Sequence, residues 1–297
     1  MATTLAPDPP VAALRARNRQ VGERSFRVIA LVSGLMVLVV LGLIALTTTS
    51  KAWQALSHEG VTFVTSTHWD PANGKFGAFA YIYGTLISSL IAIVIGVPVS
   101  VGIALVLTEV APRNARRGAV YLIDLLAAVP SVVFGLWGLL VAAGPLGRFY
   151  GHVSNVTRHV PVLNTLFTGG IGGRCIFTAG LVLALMIVPI ITSLTREVFQ
   201  TVPPAQKEAA LALGATRWEM IRGSVLPYGR SGVVGAVMLG LGRAMGETIA
   251  VALLIGSVAR VTAHLFSAGD TMAAVIVNQF GDNQTGLAGS AFLALGV

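Results

Sequence analysis

A chain of 297 residues that is 55% hydrophobic and only 11% charged, with a mean hydropathy of +0.80, lies outside the range of soluble domains, in which about a quarter of residues carry charge. Its net charge of +8 does not mark a nucleic-acid binder, because the basic residues fall in short segments between apolar runs and not on one water-facing surface. A single cysteine, Cys175, excludes an internal disulfide framework and a thiolate metal site and reads as a small apolar filler.

Residues 1–27 combine Pro7, Pro9 and Pro10 with five arginines, a composition that cannot bury a core, and read as a basic cytoplasmic tail. The first apolar run, Val28 to Leu46, is too long for a signal-peptide core and lacks a small-residue cleavage site, so it is expected to remain as an anchor. Further spans are expected at Tyr81 to Leu107, Val120 to Ala143, Phe177 to Leu194 and Val233 to Val258, with a sixth beginning at Leu287. Residues 28–297 would thus form one all-α, polytopic membrane bundle of six transmembrane helices. The sixth run has 11 residues, roughly half of what a bilayer core requires, so further residues are expected after Val297.

Lysine and arginine fix the orientation. With the N-terminus inside, the inner segments carry 13 of them and the outer segments 6. Cytoplasmic loops hold the excess, which predicts a cytoplasmic N-terminus. Pro98, Pro130 and Pro189 fall within the expected spans, where proline kinks a helix; such kinks suit a bundle around a pathway and are also common in membrane helices generally. Glu109 closes the second span and is expected to pair with Arg113, Asp124 to snorkel from the third span, and Trp53 and Trp69 to anchor at the interface.

The inner segment 195–230 reads as folded. Pro203 and Pro204 can open a helix, Gln206 to Leu213 is rich in helix formers, and Gly214 can close it in a left-handed conformation. A second helix, Thr216 to Val225, is expected to stop at Pro227. Such a hairpin is either a rigid knob for a soluble partner or an interfacial hairpin with none.

The fifth span contains Arg243 and Glu247. An arginine at mid-membrane costs about 2.5 to 3.5 kcal/mol, so an ionisable residue there is a functional candidate. Four residues apart, the two are expected on one helix face within reach of each other, with Gly232, Ala236 and Gly240 continuing that face as a small-residue stripe. The planar donor fork of a guanidinium matches the oxygens of a tetrahedral oxyanion. A structural ion pair that fixes helix register is the competing reading.

Glu208, Ala209, Ala210, then Gly214, then Leu226 and Pro227 resemble the EAA loop of type I ATP-binding-cassette importer permeases, with Ser224 departing from the usual apolar residue. The segment Gly242-Arg243-Ala244-Met245-Gly246-Glu247-Thr248, followed by Ile249-Ala250-Val251, is similar to the GRAxGETxAV segment of the PstC family of phosphate-importer permeases. Trp69-Asp70-Pro71, Gly77 and Tyr83-Gly84-Thr85-Leu86 add to that likeness, which runs from about Trp69 to Val258.

The resemblance implies a type I importer permease in which Glu208, Ala209, Ala210 and Gly214 couple to an ATPase and Arg243, Glu247 and Thr248 line the substrate pathway. It implies as partners a PstA-like second permease subunit, a PstB-like cassette ATPase dimer, a PstS-like extracytoplasmic phosphate-binding protein and membrane lipid, in the bacterial inner membrane. The chain would then be a transport subunit and not an enzyme; it has no GxxxxGK[ST] site, so ATP would be hydrolysed on another chain. No cofactor is implied, and the five histidines lack metal-ligand spacing. Thr248, where sulfate and molybdate permeases have phenylalanine, favours phosphate. A sulfate- or molybdate-type permease, or a self-sufficient anion channel or secondary carrier, are the alternatives.

Overall fold

The computed structural model describes residues 11–167, 172–282 and 285–297. Residues 1–10, with the three prolines of the tail, lie outside it, and the rest of the tail is helical. α1 (Val11–Glu59) runs unbroken through the first apolar run. Its residues from Phe26 to Leu46 are exposed on all sides, as suits a helix solvated by lipid.

After α2 (Thr62–Thr65), a two-stranded hairpin of β1 (Trp69–Asp70) and β2 (Lys75–Phe76) turns on Asp70, whose carboxylate accepts from the N–H groups of Ala72 and Asn73. Trp69, expected as an interfacial anchor, instead packs edge-on against Phe76, Tyr81 and Phe292 at 5.1 Å each. Edge-to-face packing of this kind adds to the burial of the ring. Trp53 is exposed.

α3 (Phe79–Leu105) continues through a π-turn at Val106–Val110. α4 (Arg113–Ala128) then stops at Val129, which is extended ahead of Pro130. The crossing helix begins only there: α5 (Ser131–Trp137), a π-turn and α6 (Ala143–Thr157). The helix here that is long and apolar enough to cross a membrane is therefore Ser131–Thr157, whereas the expected run Val120 to Ala143 is divided at Pro130. Pro130 opens that helix from outside, because a residue before proline avoids the helical region.

α7 (Pro161–Phe167) precedes α8 (Ile176–Gln200), the most buried span. α3 and α8 form the centre of the bundle through small residues. A Cβ on Gly180 would lie 2.7 Å from Ile91, and one on Gly96 3.1 Å from Ile187, so glycine permits the close approach. Ser100 Oγ donates to the carbonyls of Gly96 and Val188, adding an interhelical hydrogen bond.

α9 (Pro204–Ala212) and α10 (Arg217–Met220) make the loop hairpin. α10 does not stop at Pro227. A π-turn at Ile221–Val225 carries it into α11 (Leu226–Met245), so proline falls in the first turn of a new helical stretch, where its missing N–H costs little.

The fifth helix long and apolar enough to cross a membrane is Arg217–Met245, and the expected helical continuation to Val258 is broken. α12 (Ile249–Leu254) is a separate short helix, followed by an extended segment in which Gly256 pairs with Gly269. α13 (Met272–Gln279) and α14 (Gly286–Gly296) close the chain, α14 packing on α1 around Ala52 and Ala55. Among the described residues, five helices are long and apolar enough to cross a membrane, and α14 is a shorter apolar helix.

Candidate functional site: a loop knob and a broken helix

The hairpin 203–216 is rigid for reasons visible atom by atom. Gly214 has φ +87°, its N–H donates to Leu211 and the N–H of Ala215 reaches back to Ala210. These are the two reverse bonds of a Schellman ending, which needs a left-handed residue where glycine alone is unstrained. Two residues on, Thr216 Oγ1 accepts from the N–H of Glu219 at 3.3 Å while Glu219 accepts from the N–H of Thr216 at 2.7 Å, a reciprocal capping box.

On its inner side Ala210 packs onto a cluster of Phe199, Val202, Met220, Ile221 and Val225. Lys207 Nζ lies 2.6 Å from Glu109 Oε1, the carboxylate only 8% exposed. Glu109 thus pairs with Lys207, a contact between residues 98 apart in sequence; the side chain of Arg113, the expected partner, lies outside the described residues. The opposite face shows Glu208, Ala209 and Gly214 exposed, with Leu213 at 90% and Trp218 at 62% exposure. Two large apolar side chains thus stand open on the outer face of a rigid hairpin.

The second element is the end of α11. Its small-residue stripe, Gly229, Gly232, Ala236 and Gly240, faces α8: a Cβ on Gly232 would meet Val198 at 2.5 Å and one on Gly240 would meet Ile191 at 2.6 Å. The stripe runs on to Ala244 and Glu247, both buried. Arg243 does not share it. Arg243 is exposed, on the open side with Val234, Met238 and Leu239, where a Cβ on Gly235 or Gly242 would meet nothing within 4 Å.

The helix ends between the two charges. Gly246 caps α11, Thr248 leaves regular geometry at φ −108°, ψ −66°, and Glu247 Oε1 accepts from the N–H of Ala250, 3.3 Å away, in the first turn of α12. A carboxylate is favoured at a helix N-terminus by the unpaired N–H groups there. The expected single face and direct pairing are therefore not what the fold builds. The ion pairs among the described residues are His58–Glu59 and Lys207–Glu109, and Arg243 joins neither. It leaves a guanidinium on an open, glycine-lined face and a buried carboxylate one turn away on the other side. Arg243 also sits in the last turn of α11, where a cation complements the helix dipole.

Sequence reasoning passed over Asp270, which is 2% exposed and whose carbonyl would meet a Cβ on Gly84 at 1.9 Å. Burial pushes its carboxyl up to about 6, against a hydrogen bond from the N–H of Thr271 that lowers it. Only its place in a turn-rich segment could have hinted at it.

The profile of the binding-protein-dependent transport system inner membrane component family matches residues 96–297. The chain is an inner-membrane component of that kind, with an importer permease's fold. A chain of the MetNI methionine ABC transporter, solved in inward-facing conformations, superposes with a TM-score of 0.50 at 18% identity, over 74% of this chain and 86% of that one. Curated relatives sharpen the assignment. Phosphate transport system permease protein PstC of Mesorhizobium japonicum is 45% identical over 89% of this chain and 81% of its own length; that of Xylella fastidiosa strain 9a5c is 49% identical over 77% and 71%. PstC 2 of Mycobacterium tuberculosis is 43% identical over 100% and 93%. The chain belongs to the PstC family.

Proposed function

We propose that this chain is the permease subunit through which an ATP-driven importer passes inorganic phosphate across the bacterial inner membrane. The observation that carries the reading is Arg243: an exposed guanidinium without a carboxylate partner, near the end of a spanning helix, in a chain 43 to 49% identical to phosphate permeases. A guanidinium on an open face, with its donors unspent on a carboxylate, is free to meet an anion. Phosphate supplies oxygens in the geometry that a guanidinium fork binds in two places at once.

In this reading the open face of α11 meets a second, PstA-like permease subunit, and Arg243 and Thr248 line the path between them. Glu247, held at the start of α12, limits how much positive charge the path presents. The N-terminus lies in the cytoplasm with the knob, whose exposed Glu208, Ala209, Leu213 and Trp218 dock on a PstB-like ATPase dimer; a PstS-like binding protein delivers phosphate from the other side. The excess of lysine and arginine on the knob's side supports this orientation.

The test is uptake of labelled phosphate in vesicles. The whole assembly should accumulate it only with ATP, and the chain alone should pass none. ATP-independent passage by the purified chain would instead make it a channel or secondary carrier.

A further inference from the structure

A second cavity on the knob's side of the bundle carries a chemistry that the pathway does not use. Arg116 and Arg117 of α4 and Arg196 of α8 line a space of about 440 Å³, together with Tyr121 and Asp124. None of the three guanidiniums reaches a carboxylate among the described residues, although Asp124 stands in the same space. Asp124, expected to snorkel from within a span, is on α4 outside it. Three like charges around one cavity repel each other unless an anion neutralises them.

What lies beside the cavity decides which anion. One turn further along α4, Leu122, Leu125 and Leu126 turn outward, each about half exposed or more. From Leu126 an apolar groove of about 270 Å³ continues past Val129, Phe134, Trp137 and Leu185. Trp137 and Leu185 also line the next groove, of about 590 Å³, which reaches Val99 and Val141 between α3, α6 and α8. A basic cavity and an apolar groove laid along the same two helices, α4 and α8, with the next groove also on α8, have the outline of an amphiphile. Basic pockets at the ends of spanning helices suit phosphate-bearing lipid headgroups.

We propose that Arg116, Arg117 and Arg196 hold the headgroup phosphate of an anionic phospholipid whose acyl chains lie in the Trp137–Leu185 groove. Asp124 accepts a hydrogen bond from a headgroup hydroxyl, which a glycerol headgroup has and a choline headgroup lacks. Free phosphate would satisfy the arginines and leave the grooves without a purpose. The inference does not depend on which anion the protein transports.

Native mass spectrometry of the purified assembly, exchanged into mixed phosphatidylglycerol and phosphatidylcholine, tests it. The wild type should retain phosphatidylglycerol selectively and keep it in excess inorganic phosphate. Each arginine removed should weaken retention about fivefold, so R116Q/R117Q/R196Q should lose it. A control with three other exposed arginines replaced, R148Q/R158Q/R260Q, should keep it. Leu185→Trp, which fills the groove and leaves every charge in place, should also lose lipid, so the proposal remains testable if the triple variant fails to assemble. Equal retention in the triple variant and the control, equal retention of phosphatidylcholine, or displacement by inorganic phosphate would each overturn it. So would an assembly structure with another subunit's helix in the groove.

Discussion

Lys207 Nζ and Glu109 Oε1 meet at 2.6 Å, joining the loop helix α9 to the end of the span Phe79–Val110. The lysine is 22% and the glutamate 8% exposed, so water screens the pair only partly. Removing the lysine leaves a carboxylate in a poorly hydrated place, whereas removing both charges does not.

Lys207→Met should therefore destabilise the protein by about 1 to 3 kcal/mol, and the double variant E109Q/K207M should recover most of that loss. Thermal unfolding in detergent measures both. Equal losses in the single and double variants would show that the charges do not act as a pair.

Gly214→Ala forces a side chain into φ +87°, at a cost of about 1 kcal/mol, with no steric clash inside this chain. The spans should insert normally while the knob loses its shape. The ATPase should then co-purify in reduced yield, and normal yield would remove the knob from the coupling surface.

Asp270 gives a pH dependence whose sign follows from burial. Its carboxyl is raised from 3.8 to about 6, so the folded state favours the protonated form. The contribution of this one carboxyl to stability is then greatest at acid pH and falls as pH rises from about 4 through 6, by up to about 3 kcal/mol. The wild type should melt at higher temperature at pH 5 than at pH 7.5, and in Asp270→Asn this difference should shrink. A variant with an unchanged pH profile would place the effect elsewhere.

The parts legible in the sequence were those with local signals. Long apolar runs announced the long apolar helices α1, α3 and α8 because length and hydropathy suffice there. Pro203, Pro204 and Gly214 announced the knob because each acts on its own backbone. Two breaks were missed for a common reason: apolar composition continues across them. Leu122 to Val129 and Val132 to Val141 read as one run although Pro130 divides a surface helix from a crossing one. Gly246 reads as a tolerated membrane glycine although it ends α11, and so the register that should have paired Arg243 with Glu247 is lost. The Lys207–Glu109 contact and the arginine cavity have no local signature, since tertiary packing alone brings α9 to α3 and α4 to α8.

The central claim is that Arg243 meets the transported anion with its donor fork. The most direct measurement is ATP-dependent uptake of labelled phosphate, with sulfate as competitor, by vesicles carrying the whole assembly with Arg243 or with Arg243→Lys. The account predicts that the lysine variant assembles fully, hydrolyses ATP and takes up phosphate at least about tenfold more slowly, because the charge remains and the two-point contact does not. Uptake at the wild-type rate by that variant would contradict it.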